Sequence, residues 1–178
     1  MIRETITTLT SVDRVLDAKE RALNEKDGML FREVVRAKQH GEGQRAAMLA
    51  NELVQLRRGL QTVTGSRLAI FTLTQRLEST RDLQEFTSNL APAVQLASTL
   101  QSQLTRAMPE ASDTIMNSLA EMTNMMQEAG RLSGDSPNIE LATLEAEKII
   151  MEATSIAEEQ TKSKFPEVPM DFKEAEEA

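Results

Sequence analysis

The sequence predicts an all-α protein: a long antiparallel helical hairpin with additional shorter helices and a flexible acidic C-terminal helix and tail. Three observations carry this. Helix formers such as Ala, Leu, Glu, Gln, Arg and Met dominate, and no run alternates with the period of two that a strand requires. Apolar residues return every seventh position along two long segments, a spacing that makes a narrow seam for another helix. Gly41-Glu42-Gly43 separates those segments and is expected to close the hairpin, with Gly41 and Gly43 as the turn residues. Five Phe with no Trp or Tyr, in a chain with 27% charged residues, leave little material for a bulky core.

The first helix is expected over residues 2–39, with Ile2, Leu9, Leu16, Leu23, Leu30 and Ala37 as its seam. Arg3, Arg14, Arg21 and Arg32 return within about 20° of one another at 100° per residue, so they form one basic stripe roughly 100° from the seam. That stripe fits an anionic surface or a partner; with Asp13, Asp17 and Glu20 close by it also fits a solvated face.

The second helix runs from Gln44, with Leu49, Leu56, Val63, Ile70 and Leu77 seven apart. Its basic residues are all arginine, among them Arg57 and Arg58, suited to bidentate contact with phosphate headgroups or with carboxylates of another chain. Beyond Leu77 the register slips and resumes at Leu83 and Leu90 and at Phe86 and Ala93, which marks a joint or a change of winding. Pro92 is the expected place for the joint, since its ring removes a backbone donor. A bent and an unbroken form are both open.

Pro109 is expected to open the next helix, whose face reads Ile115, Met116, Leu119, Met122, Met125 and Met126. That many methionines give an adaptable surface, although an ordinary amphipathic helix reads the same way. The expected organisation is a core over 1–130, a linker over 131–137, an acidic regulatory helix over 138–163 and a Pro-spaced acidic tail over 164–178. Pro137 should start the acidic helix, with Ile139, Ala142, Ala146, Ile149, Ala153 and Ile156 on a thin face that docks weakly and can be released. The tail, Phe165-Pro166-Glu167-Val168-Pro169-Met170, is an extended segment of the kind that adds to a groove on another protein.

Charge divides the chain. Residues 1–81 hold 14 Lys and Arg against 10 Asp and Glu, whereas 82–178 hold 6 against 18. The basic half can approach an anionic surface, and the acidic half can fold back and compete for the same charges. Several function classes are disfavoured. The absence of cysteine removes thiolate catalysis, thiolate metal sites and disulfides, and His40 is a lone histidine beside the turn. There is no phosphate loop, nucleophile motif or aromatic platform, and the net charge of −8 disfavours nucleic acid. No enzyme, cofactor or metal is therefore expected. No apolar run approaches the ~18 residues of a membrane span, and neither end carries a lipidation signal, so membrane contact should be peripheral.

Several stretches resemble the ESCRT-III family, the membrane-remodelling subunits that include eukaryotic charged multivesicular body proteins and archaeal CdvB cell-division proteins. They are Val35-Arg36-Ala37-Lys38-Gln39-His40-Gly41 with Ala46-Ala47-Met48-Leu49-Ala50-Asn51-Glu52-Leu53, then Arg67-Leu68-Ala69-Ile70-Phe71 and Arg76-Leu77-Glu78-Ser79, then Met108-Pro109-Glu110. The likeness spans about residues 2–130 by order and spacing, and the tail by motif type. It implies a subunit that polymerises with itself and with ESCRT-III-like paralogues on an anionic membrane surface, cytoplasmic and peripheral on the inner face, at the division site if CdvB-like. It further implies that the acidic helix holds the subunit closed, and that an AAA ATPase with an MIT domain remodels it. The tail is similar to a type-2 MIT-interacting motif, in which Phe165, Pro166, Val168, Pro169 and Met170 would contact the MIT domain. The resemblance implies a shorter paralogue, without the C-terminal winged-helix-like segment of CdvB, that joins a ring through other subunits. The other readings of the same residues are a soluble coiled-coil adapter or chaperone-like protein, whose seam would bind partner helices, and a stress-type membrane-coat protein on a related hairpin.

Overall fold

The computed structural model describes residues 1–109, 112–134 and 136–169, and the described residues are all-α. The elements are α1 (Ile2–Gln39), α2 (Gly43–Glu78), α3 (Leu83–Ala107), α4 (Ser112–Ser133) and α5 (Ile139–Lys164). Helices α1 and α2 form the antiparallel hairpin; α4 packs on α3 and α1, and α5 lies across α2 and α3.

The sevenfold seam is the hairpin interface. Leu9, Leu16, Leu30 and Ala37 are buried against Leu56, Val63, Ile70 and Leu77, with Leu23 and Leu49 half-buried. Packing separates into two clusters. The larger joins the open end of the hairpin to α3, α4 and α5, and the smaller, toward the tip, holds Leu30, Val34, Ala50, Leu53 and Leu56.

The turn is narrower than the two-glycine reading. Of the two turn glycines, Gly41 and not Gly43 takes a left-handed backbone, φ +72°. The Glu42 amide donates to Ala37 O at 2.9 Å and the Gly41 amide to Lys38 O at 3.1 Å, which satisfies two of the last carbonyls of α1. Gly43 is the first residue of α2 and needs no special conformation.

The α2–α3 joint lies at Ser79–Asp82 and not at Pro92, which sits buried inside α3. Local hydrogen bonds decide this. Asp82 caps α3 by accepting from the Glu85 amide at 2.8 Å, while Glu85 accepts from the Arg81 amide at 2.7 Å. Asn89 donates to Thr80 Oγ1 at 3.0 Å and ties the joint to α3. The bend therefore falls where the apolar register slips.

Smaller expectations are also corrected. Helix α4 is described from Ser112, and the stretch that would join it to Pro109 lies outside the described residues; Met116, expected on its apolar face, is exposed to solvent. Helix α5 begins at Ile139 with Asn138 as its cap, so Pro137 precedes it. Its buried face is Ala142, Ala146, Ile149, Ala153, Ala157 and Thr161, whereas Ile139 and Ile156 are both 47% exposed. That face is small because α2 meets it with Gly65 and Ser66, both buried: a Cβ on Gly65 would lie 3.6 Å from Thr154 Cα.

Gly41→Ala should cost about 1 kcal/mol in urea unfolding, because an L side chain is strained at this backbone angle. Gly43→Ala should be neutral or slightly stabilising.

Candidate functional site

The apolar stripe of α1 is interrupted by an acid. Asp27 lies four residues after Leu23 and three before Leu30, so its carboxylate points into the hairpin seam and is 2% exposed. On α2, Arg57 lies between Leu53 and Leu60 in the same sense. The two meet in a fork: Arg57 Nε donates to Asp27 Oδ2 at 2.6 Å and Nη2 to Oδ1 at 3.1 Å.

The remaining reach of Arg57 goes to the C-terminal tail. Its Nη1 donates to the Pro166 carbonyl at 2.5 Å, and its guanidinium carbon lies 5.1 Å from the Phe165 ring centroid and 6.0 Å from that of Phe31. Val168 packs on the tip cluster of Leu30, Val34, Ala50, Leu53 and Leu56. Lys164 donates to Asn24 Oδ1 at 3.1 Å and stands 5.5 Å from the Phe165 ring. The tail is thus seated on its own hairpin by one arginine, two rings and an apolar contact.

A second charged knot lies nearer the open end. Arg67 donates to Asp13 at 2.9 Å and to Glu20 at 2.5 Å, and pairs with Asp17 at 2.8 Å; Thr64 donates to Glu20 at 3.0 Å. The hydrogen bond to Asp13, reinforced by Glu20, outweighs partial burial and raises the Arg67 pKa, so this guanidinium stays charged.

The anionic-surface candidates divide on the structure. Arg3, Arg14, Arg21 and Arg32 are all exposed along α1. Arg21 pairs with Asp17 at 2.7 Å, whereas Arg3, Arg14 and Arg32 have no ion-pair partner among the described residues. Arg58 is exposed on α2. Arg57 is a correction: its side chain is only 12% exposed and committed to Asp27 and the tail, so it is not on that surface in this conformation. Of the tail residues, Phe165, Val168 and Pro169 are half-buried and Pro166 is exposed. Met170 lies outside the described residues. Asp27 and Phe31 were missed; the available signal was an acid standing on the apolar stripe of α1.

Among the described residues no group of His, Cys, Asp and Glu is placed to hold a metal ion, and no helix is long and apolar enough to cross a membrane. Arg57→Ala should destabilise the chain by about 3 kcal/mol in urea, because it leaves Asp27 buried and unpaired. The double variant Asp27→Leu with Arg57→Met should recover most of that loss. A single-variant cost well below 1 kcal/mol would contradict the clamp.

No family model matches the chain, and no solved structure matches it. It is similar to Cell division protein B1 of Sulfolobus acidocaldarius, 32% identical over 154 residues covering 86% of this chain and 72% of the relative. It is also similar to Cell division protein B of the same organism, 27% identical over 154 residues covering 86% of this chain and 59% of that relative. With the all-α hairpin these relationships settle the family: the chain belongs to the CdvB branch of the ESCRT-III family.

Proposed function

We propose that the chain is a filament-forming subunit that remodels and cuts membranes in cell division, held inactive when α5 and the tail lie on the hairpin. The observation that carries this reading is the division of the surface. The acidic α5 and the Phe165–Val168 segment occupy one side of the hairpin, while Arg3, Arg14 and Arg32 are exposed along α1 with no ion-pair partner among the described residues. A cationic stripe of this kind binds anionic headgroups, and its attraction is screened beyond ~8 Å at physiological salt.

The α5 contact is suited to release. Four of its six buried residues are alanines, each burying little apolar area, and it carries six glutamates against three lysines. Releasing it frees α2 and α3 for neighbouring subunits and the Pro-spaced tail for the MIT domain of an AAA ATPase. Paralogues of the same family are the natural partners in such a polymer, on the inner face of the membrane at the division site, and the chemistry is structural rather than enzymatic. The adapter reading is less well supported, because its partner-binding seam is already filled by the hairpin's own second helix.

The test uses sedimentation and negative-stain imaging with and without anionic liposomes. Gly65→Leu, which wedges α5 off α2, should form filaments or coated tubes more readily than the unaltered chain, and Gly65→Ala should not, since a methyl makes only ordinary contact there. Combining Gly65→Leu with Arg14→Glu and Arg21→Glu should abolish liposome binding at moderate salt. Discrete soluble particles under all conditions would overturn the proposal.

A further inference from the structure

Three grooves that hold an arginine are each lined by acid. The groove holding Arg67 is lined by Asp13 and Glu20, that holding Arg45 by Glu33 and Glu42, and that holding Arg3 by Glu4 and Glu121. Another departs from this pattern. Between α2, α3 and α5 lies an open groove of about 580 Å³ lined by the exposed Arg58 of α2 and Arg106 of α3, with no carboxylate among the described residues that line it. Neither arginine has an ion-pair partner among the described residues. The absence of acid is notable because α5, which forms one wall through Ile150 and Thr154, carries six glutamates and turns none of them into the groove.

The remaining lining suits a polyanion with a carbon skeleton. Gln61, Gln103 and Thr154 supply hydrogen-bonding groups that make no side-chain hydrogen bond among the described residues, while Ala69 and Leu100 give a buried apolar floor. Two guanidiniums on different helices suit an anion that offers each a separate set of oxygens, and phosphate matches the guanidinium fork. The volume falls within the usual range for small-molecule sites.

We infer that this groove binds a phosphate-bearing polyanion and that the bound anion holds α5 against α2 and α3. This goes beyond membrane attraction to the α1 stripe, since it places a discrete site on another face and gives it the opposite effect. A ligand contacting Arg58, Arg106 and Thr154 together binds only while α5 is docked, so by linkage it favours the docked form. The ligand can be a soluble metabolite or a lipid headgroup; both present the same phosphate chemistry.

The experiment is calorimetric titration of the full chain with sodium tripolyphosphate at low ionic strength, paired with hydrogen exchange over α5. Saturable binding at one site is expected, weakened about tenfold by Arg58→Gln and by Arg106→Gln and unchanged by Arg14→Gln, with slower exchange in α5 when ligand is bound. Vesicles whose lipid headgroup ends in a phosphomonoester, compared with vesicles bearing only phosphodiesters, separate the two sources. Binding at the vesicle that depends on Arg58 and Arg106 assigns the headgroup, and binding of soluble ligand alone assigns the metabolite. Lack of saturation, or equal loss on Arg14→Gln, would overturn the site. Unchanged α5 exchange at saturation would overturn the coupling.

Discussion

An aspartate in the seam of a helical hairpin cannot be left alone. Removing its partner would strand a charge where Asp27 is 2% exposed, so α1 and α2 must align in a way that brings Arg57 opposite it. The second knot agrees with the first. Residue pairs 27/57, 20/64 and 17/67 share a common sum, as one antiparallel register requires. Leucine seams alone tolerate slippage by a heptad, whereas these polar contacts do not, and the hairpin that supports every other element owes its register to them.

The same pair links the hairpin to the chain's far end. Arg57 divides its donors between Asp27 and Pro166, so the residue that fixes the register also holds the tail. Just before the tail anchor, α5 lies on an alanine face opposite Gly65 and Ser66, a close but shallow contact whose buried methyls contribute on the order of 1 kcal/mol each. A long helix held by small side chains and an anchor at its C-terminal end can be displaced without disturbing the leucine seam beneath it. In the proposed mechanism that difference in strength separates what moves from what does not.

Much of this was legible in the sequence. The sevenfold spacing located both helices of the hairpin and most of its seam, because a two-helix interface imposes its period directly on the residues. The register slip after Leu77 marked the α2–α3 joint, yet the proline drew attention to Pro92; the deciding signal was the cap formed by Asp82 and Glu85, which stands at the slip. The arginines of α2 were read by type rather than by angle. Placed on the helix, Arg57 shares the face of Leu53 and Leu60, which distinguishes it from Arg58 on the exposed side. The tail's seat on Phe31 and Arg57 joins residues more than a hundred positions apart, and no local pattern carries that information.

The central claim is that α5 leaves the hairpin when the chain meets an anionic membrane. Because the chain has no cysteine, spin labels can be placed at Met48→Cys on α2 and Met151→Cys on α5, whose native side chains are 73% and 70% exposed. Pulsed electron spin resonance should give one narrow distance distribution in solution and a longer, broader one on anionic liposomes whose headgroups are phosphodiesters only. A distribution that stays narrow and unchanged while the protein sediments with the liposomes would contradict the account.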